Sequence, residues 1–146
     1  MPHIRMETHI EAPVEHVWES WCDGSNWDEL QPRAKHTDFS GPLDRVGTTY
    51  VERMRFMGYE MKMTFEIVEV EPLRLIHERS EWQENHFRFE PDGDATNFIV
   101  DTDVEMPGKM PGFIKDMLSK GMGERTMRNV LADFKALAEA KAPAKA

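Results

Sequence analysis

Residues Met106–Ala140 read MPGKMPGFIKDMLSKGMGERTMRNVLADFKALAEA, and this stretch decides the fold. Pro107, Gly108, Pro111 and Gly112 punctuate its start, and Pro143 lies just beyond its end. Met127, Val130, Leu131, Phe134, Leu137 and Ala138 recur at spacings of three and four, with Arg128, Asn129, Asp133 and Lys135 between them. That period is an amphipathic helix. Phe113, Ile114, Met117 and Leu118 extend the apolar side, but Gly121 and Gly123 interrupt it. Each glycine costs a helix interior about 1 kcal/mol relative to alanine, so a kink is expected at this junction. A long amphipathic helix must bury its stripe, and the chain before Pro107 reads mainly as strands. The expectation is a curved sheet gripping one long helix, with space for a guest between them.

The strands are legible by alternation. His3 to Ile10 puts Ile4, Met6, Thr8 and Ile10 on one face and His3, Arg5, Glu7 and His9 on the other. Pro13 suits a first helical turn, and Val14, Val17, Trp18 and Trp21 form a short helical stripe. Asp23-Gly24-Ser25-Asn26 breaks it, and Ser25 is placed to cap a second short helix through Leu30. Strands follow over Ala34–Ser40 (weakly marked), Gly47–Phe56, Tyr59–Val70, Leu73–Trp82, Glu84–Phe89 and Ala95–Glu105. Pro91-Asp92-Gly93-Asp94 is a hairpin turn. Hairpin-linked strands with one polar face imply an antiparallel sheet wet on one side. The last strand sets Phe98, Val100, Thr102 and Val104 against Ile99, Asp101, Asp103 and Glu105, the acids reading as a solvated face. Residues 1–140 are expected to form one domain and 141–146 a disordered tail.

Bulk composition bounds the function. The 146 residues carry a net charge of -9, with 40% hydrophobic and 31% charged residues, ordinary for a globular domain. The negative balance argues against nucleic acid and anionic membranes as partners. No segment is apolar enough to span a membrane or to serve as a signal peptide, and Cys22 has no partner for a disulfide, so a cytoplasmic location is expected. Eleven methionines suit the wall of an adaptable apolar pocket, although plain core filling is the competing explanation. The histidines (His3, His9, His16, His36, His77 and His86) are dispersed, and no HExxH, CxxC, GxGxxG or P-loop occurs. No metal and no cofactor is expected.

Strand parity nominates a cavity wall. If Met54 points inward, so do Glu52 and Tyr50; if Leu73 and Leu75 point inward, so do His77 and Arg79. Met61, Met63, Phe65, Phe87, Phe89 and Phe98 supply apolar wall, while Phe113, Met117 and Met127 face it from the helix. An apolar pocket with a few convergent polar groups is what a small-molecule site needs. Each polar group also has a structural reading: Glu52 paired with Arg79, His77 bonded in the core, and Tyr50 packed with its hydroxyl at the rim.

The order of elements, headed by Ile10-Glu11-Ala12-Pro13-Val14-Glu15-His16-Val17-Trp18, resembles the START-like helix-grip superfamily. Asp23, Trp27 and Pro32, the run Glu69-Val70-Glu71-Pro72-Leu73-Arg74-Leu75, and Phe89-Glu90-Pro91 with Gly93 and Thr96 point to its polyketide cyclase/dehydrase-type branch. The resemblance runs from about Ile4 to Glu139. It implies an α+β fold in which a curved antiparallel sheet of about seven strands wraps a long C-terminal helix, with two short helices after the first strand. It also places Trp27 beside the cavity mouth. Fold alone does not select among the superfamily's lipid carriers, aromatase/cyclases and cochaperone-like modules.

The first expectation is therefore binding of a lipid, quinone or polyketide-like molecule by a monomer or homodimer. The Gly41–Gly47 loop and the Gly121/Gly123 junction would then control access. The second is an aromatase/cyclase- or dehydratase-like enzyme. In relatives of that kind a cavity arginine stabilises an enolate. The strand corresponding to the arginine's carries Met61, Met63, Phe65 and Ile67 on its inward face, so Arg79 would substitute, with His77 or Glu52 as base. The third is an interaction module with a filled core and an acidic surface.

Overall fold

In a computed structural model, residues 3–27, 34–56, 59–104 and 123–140 are described. Strand β1 (His3–Ile10) leads into helix α1 (Val14–Cys22) and a 3₁₀ turn at Gly24–Asn26. Strands β2 (Ala34–Thr37), β3 (Thr49–Phe56), β4 (Tyr59–Glu71), β5 (Leu75–Arg79), β6 (Gln83–Asp92) and β7 (Ala95–Val104) follow, and helix α2 (Gly123–Ala140) closes the chain. The seven strands form one sheet in the order β1-β7-β6-β5-β4-β3-β2, and every neighbouring pair is antiparallel. The expected helix-grip architecture is present. Phe113 and Met117, and the Gly121 side of the proposed kink, lie outside the described residues, whereas Gly123 is the first residue of α2.

Local chemistry explains the element ends. The β6–β7 hairpin closes through Gly93 and Asp94 alone, because Asp92 pairs with Ala95 and Gly93 takes a φ of +61° that favours glycine. At the end of α1, Asp23 is the cap of the 3₁₀ turn in place of the expected Ser25. Its carboxylate accepts from the Ser25 amide at 3.1 Å and from the Ser25 hydroxyl at 2.6 Å. The remainder of the second expected helix, residues 28–30, is outside the described region.

The concave face of the sheet is apolar and closed by the helices. Val17, Trp18 and Trp21 of α1 and Val130, Leu131, Phe134 and Ala138 of α2 are buried, so both helical stripes face the sheet as their spacing predicts. Trp21 is the hub, with ring centroids 4.7 Å from Phe87, 5.1 Å from Phe98 and 5.0 Å from Phe134. Polar contacts fix the far end of α2 to the β1–α1 corner. Lys135 Nζ donates to the His9 carbonyl at 2.6 Å, the Glu11 amide donates to Glu139 at 2.8 Å, and His16 Nε2 donates to the Ala138 carbonyl at 2.9 Å. The last of these satisfies a helix-terminal carbonyl that has no partner within the helix.

The outer face departs from expectation at β7. Asp101 is buried, accepting from Arg88 on β6 and, at 3.2 Å, from Arg5 on β1. Because β7 lies inside the sheet, long side chains from both neighbouring strands fold over it. The acidic face is therefore partly covered by arginine rather than open to solvent.

Phe134 is fully buried between Trp21 and Phe98. Phe134→Ala should destabilise the fold by about 3–5 kcal/mol in urea unfolding, whereas an equivalent loss is not expected from Asp133→Ala on the exposed side of the same helix.

Candidate functional site

Beyond the ground covered by α1 and α2, the concave face of β2–β6 carries polar side chains among apolar ones. Register aligns them: Tyr50 opposite Phe65, Glu52 opposite Met63 and His36, and Glu78 opposite Asn85. Phe65, Met63, Met61, Ile67 and Ile76 are the apolar ground, all buried. Tyr50 stacks on Phe65 and on Phe39 at centroid distances of 5.4 and 5.5 Å, and Trp27 meets both Tyr50 and His36 edge-on. Trp27 is itself tied down, its indole N–H donating to the Trp21 carbonyl at 2.8 Å.

Glu78 is the centre of this region, at 1% exposure. The Tyr50 hydroxyl donates to its Oε2, and the Asn85 side chain also hydrogen-bonds it. Asn85 Oδ1 accepts from Thr102 and Gln83, each at 3.0 Å, which orients the Asn85 amide N–H₂ toward Glu78. Burial pushes the Glu78 carboxyl up to about 8. The donors Tyr50 and Asn85 work against that rise, and the nearby Glu52 charge adds to it. Burial likewise holds the Tyr50 phenol well above its ordinary value, with the charges of Glu78 and Glu52 contributing. Next to this pair, His36 Nε2 and Glu52 Oε1 are 2.9 Å apart. The site thus offers a carboxylic acid that is largely neutral near pH 7, a phenol, an amide and an imidazole–carboxylate pair.

The sequence expectation needs one correction of parity. His77 and Arg79 point to the convex face, and Ile76 and Glu78 take the inward positions. Two features decide this. Ile76 lies opposite Phe87, whereas an inward Leu75 would belong with Arg88. In β4 the register shifts between Ile67 and Glu69, leaving Val68 as an extra residue, so the inward parity of the strand changes there. Glu78 was missed for that reason; the signal available was a lone Glu two residues from Ile76. Tyr50, Glu52, Met61, Met63 and Phe65 do come together on the concave face, with Met54 half-buried in the same row. Phe87, Phe89 and Phe98 are engaged by Trp21, Trp18 and Phe134. Met127 and Trp82 are half-buried against the same core.

Pairing also brings together histidines that the sequence separates. On the convex face His77 and His86 lie directly opposite each other, their rings stacked at 3.9 Å, and Glu84 Oε1 is 2.5 Å from His77 Nε2. Burial, with the charges of His77 and Arg88, holds His86 below the usual imidazole value. Burial also pushes the Cys22 thiol up to about 12, with the Asp44 charge adding, so Cys22 stays protonated and is a poor nucleophile. Among the described residues, no helix is long and apolar enough to cross a membrane.

A seven-stranded antiparallel sheet gripping its C-terminal helix, with an aromatic concave face, defines a START-like helix-grip protein. The chain belongs to the family described as polyketide cyclase / dehydrase and lipid transport, whose model matches residues 1–139. Comparison with curated protein sequences finds no match. Among solved structures, the chain is similar to the protein TTHA0849 from Thermus thermophilus, at 19% identity and a TM-score of 0.75, covering 97% of this chain and 100% of that one. It is also similar to the ZhuI aromatase/cyclase from Streptomyces sp. R1128, at 17% identity and a TM-score of 0.76, covering 97% and 99%. A START superfamily protein from Mycobacterium smegmatis matches at 17% identity and 0.66, covering 92% and 98%. At these identities the likeness is one of fold.

The raised Glu78 value has a definite consequence for stability. Between its unfolded value of 4.5 and about 8, the native state keeps a proton that the unfolded chain has released. Stability from this group therefore falls as pH rises through that window. The loss should be on the order of a few kcal/mol. Glu78→Gln should flatten the difference in denaturant-measured stability between pH 5 and pH 8; a variant curve parallel to the parent's would contradict the assignment.

Proposed function

We propose that this protein binds an apolar or partly aromatic small molecule, of lipid, quinone or polyketide-like type, against the concave face of the sheet beside the ground covered by α1 and α2. The single observation that supports this most is Glu78, a carboxyl group buried in an aromatic and methionine-lined wall and bonded to Tyr50. An apolar residue there would be cheaper to bury, and ionisable groups displaced this far from their ordinary values concentrate at functional sites. Met61, Met63 and Phe65 would supply affinity. A guest burying about 300 Å² of apolar surface gains roughly 7 kcal/mol before the costs of ordering are subtracted. Phe39, partly exposed and stacked on Tyr50, is the cover that a guest would displace.

The polar groups narrow the ligand class. Glu78 in its neutral form both donates and accepts, Tyr50 donates, and His36 is engaged with Glu52. A carbonyl, quinone or phenol oxygen suits this set. Among the described residues a free carboxylate would meet Glu52 with no dedicated cation beside it, and is disfavoured.

A second reading, as an aromatase/cyclase- or dehydratase-like enzyme, is favoured by the same pair. A phenol beside a neutral carboxylic acid is a donor set able to stabilise an enolate oxygen, the task expected above of Arg79. The His36–Glu52 pair would then serve as base.

Native mass spectrometry of the purified protein, with extraction and identification of whatever is released, should reveal a ligand with a neutral oxygen head. In titrations, a quinone should bind more tightly than a fatty acid of equal carbon number. Glu78→Gln and Tyr50→Phe together should weaken the quinone by about tenfold. If neither compound binds the folded protein, or if the double variant binds quinone as the parent does, the proposal fails. Intact binding of a polyketide substrate with lost turnover in Glu78→Gln would select the enzyme.

A further inference from the structure

The convex face carries a group of side chains for which the concave site has no use. His77 on β5 and His86 on β6 are cross-strand partners, and Glu84 lies two residues along β6 from His86, on the same face. One donor atom from each of the three lies within 4.8 Å of the others. Metal–ligand bonds of about 2.0–2.2 Å place the donors of a tetrahedral site roughly 3.3 Å apart, so binding opens the 2.5 Å His77–Glu84 contact and turns one imidazole out of the His77–His86 stack.

We propose that His77, Glu84 and His86 form a binding site for a borderline divalent transition metal of the zinc type. Four aspects of the geometry support it. The ligands are two imidazoles and a carboxylate, a set suited to zinc and poorly suited to magnesium or calcium, which take oxygen ligands. All three project from paired backbone in the middle of a sheet, so their spacing is held by the ladder rather than by a loop. The Glu69 carboxylate is 3.7 Å from His77 Nδ1, on the side away from Glu84. A carboxylate on the distal nitrogen is the usual way a protein fixes which imidazole nitrogen faces a metal. Finally, the His77 and Glu84 side chains are 15% and 39% exposed, which leaves an approach path and at least one coordination position for water or an exogenous ligand. Glu84 also forms one wall of a cleft of about 140 Å³ lined by Arg79, Trp82 and Asp103. The metal would clip β5 to β6, independently of any guest in the concave site.

The test is calorimetric titration of Zn(II) into the full-length chain in a non-chelating buffer, with Mg(II) run in parallel. One equivalent of Zn(II) should bind, with no saturable heat from Mg(II). His77→Ala and His86→Ala should each weaken Zn(II) by at least about tenfold. His3→Ala, in the His3–Asp101–Asp103 cluster of the same face, should leave binding unchanged. Excess Zn(II) should raise the melting temperature of the parent and of His3→Ala, but not of the two ligand variants. Should either alanine variant unfold, His77→Asn or His86→Asn gives the same comparison. Absence of saturable Zn(II) binding, equal binding of Mg(II), or binding unchanged in both ligand variants would overturn the site.

Discussion

Phe134 lies between Trp21 of α1 and Phe98 of β7, its ring centroid about 5 Å from each, and through this contact the last helix is joined to the corner helix and to the sheet at once. Trp21 in turn touches Phe87 and Trp27, so one aromatic cluster connects both helices, β6, β7 and the segment leading to β2. An antiparallel sheet with one apolar face has to cover that face. Here two short apolar stripes, on α1 and α2, cover the β1–β7–β6 side. The polar clamps at His9, Glu11 and Ala138 then fix where along the sheet the helix ends.

With that side filled, the remaining concave surface acquires a different character. Its buried polar groups are not scattered. Tyr50, Glu78, Asn85 and Thr102 form a continuous chain of hydrogen bonds running across β3, β5, β6 and β7, with His36 and Glu52 beside it. Among the described residues, every buried side-chain nitrogen and oxygen has a partner. A network so placed is satisfied at rest, yet its central acid keeps its proton near neutrality because there is little water to stabilise the charge. The convex face solves the opposite problem. Arg5, Arg88, Asp101, Glu84 and the paired histidines compensate one another on a protein whose net charge is -9.

The division between the two faces of β5 rests on one extra residue in β4. From Met61 to Ile67 the odd-numbered side chains of β4 face inward; after Val68, Val70 does, opposite Ile76. Ile76 and Glu78 therefore join the aromatic wall, while His77 and Arg79 join the outer surface. A bulge of this kind also bends and twists a long strand, as a sheet that must curve around a helix requires. The turn that follows bears a cost of its own, since Leu73 holds a φ of +63°, a conformation that glycine adopts without strain.

The sequence by itself determined the element types, the helix-grip class and most of the apolar core, because these follow from local periodicity. Alternation from Met61 to Ile67 and the spacing from Met127 to Ala138 each specify a face without knowledge of any partner. It also brought Tyr50, Glu52, Met61, Met63 and Phe65 to one wall, since β3 and the first part of β4 keep regular parity. Only the tertiary structure decided that Glu78 belongs to that wall and His77 and Arg79 do not. Leu75-Ile76-His77-Glu78-Arg79 supports either parity on its own, and the choice was made by Phe87 across the ladder and by the Val68 bulge. It alone also placed His77 against His86, nine positions away in the chain but facing it in the sheet. Register is a relation between strands, and a one-residue shift reverses every side chain, so no property of one strand read alone can fix it.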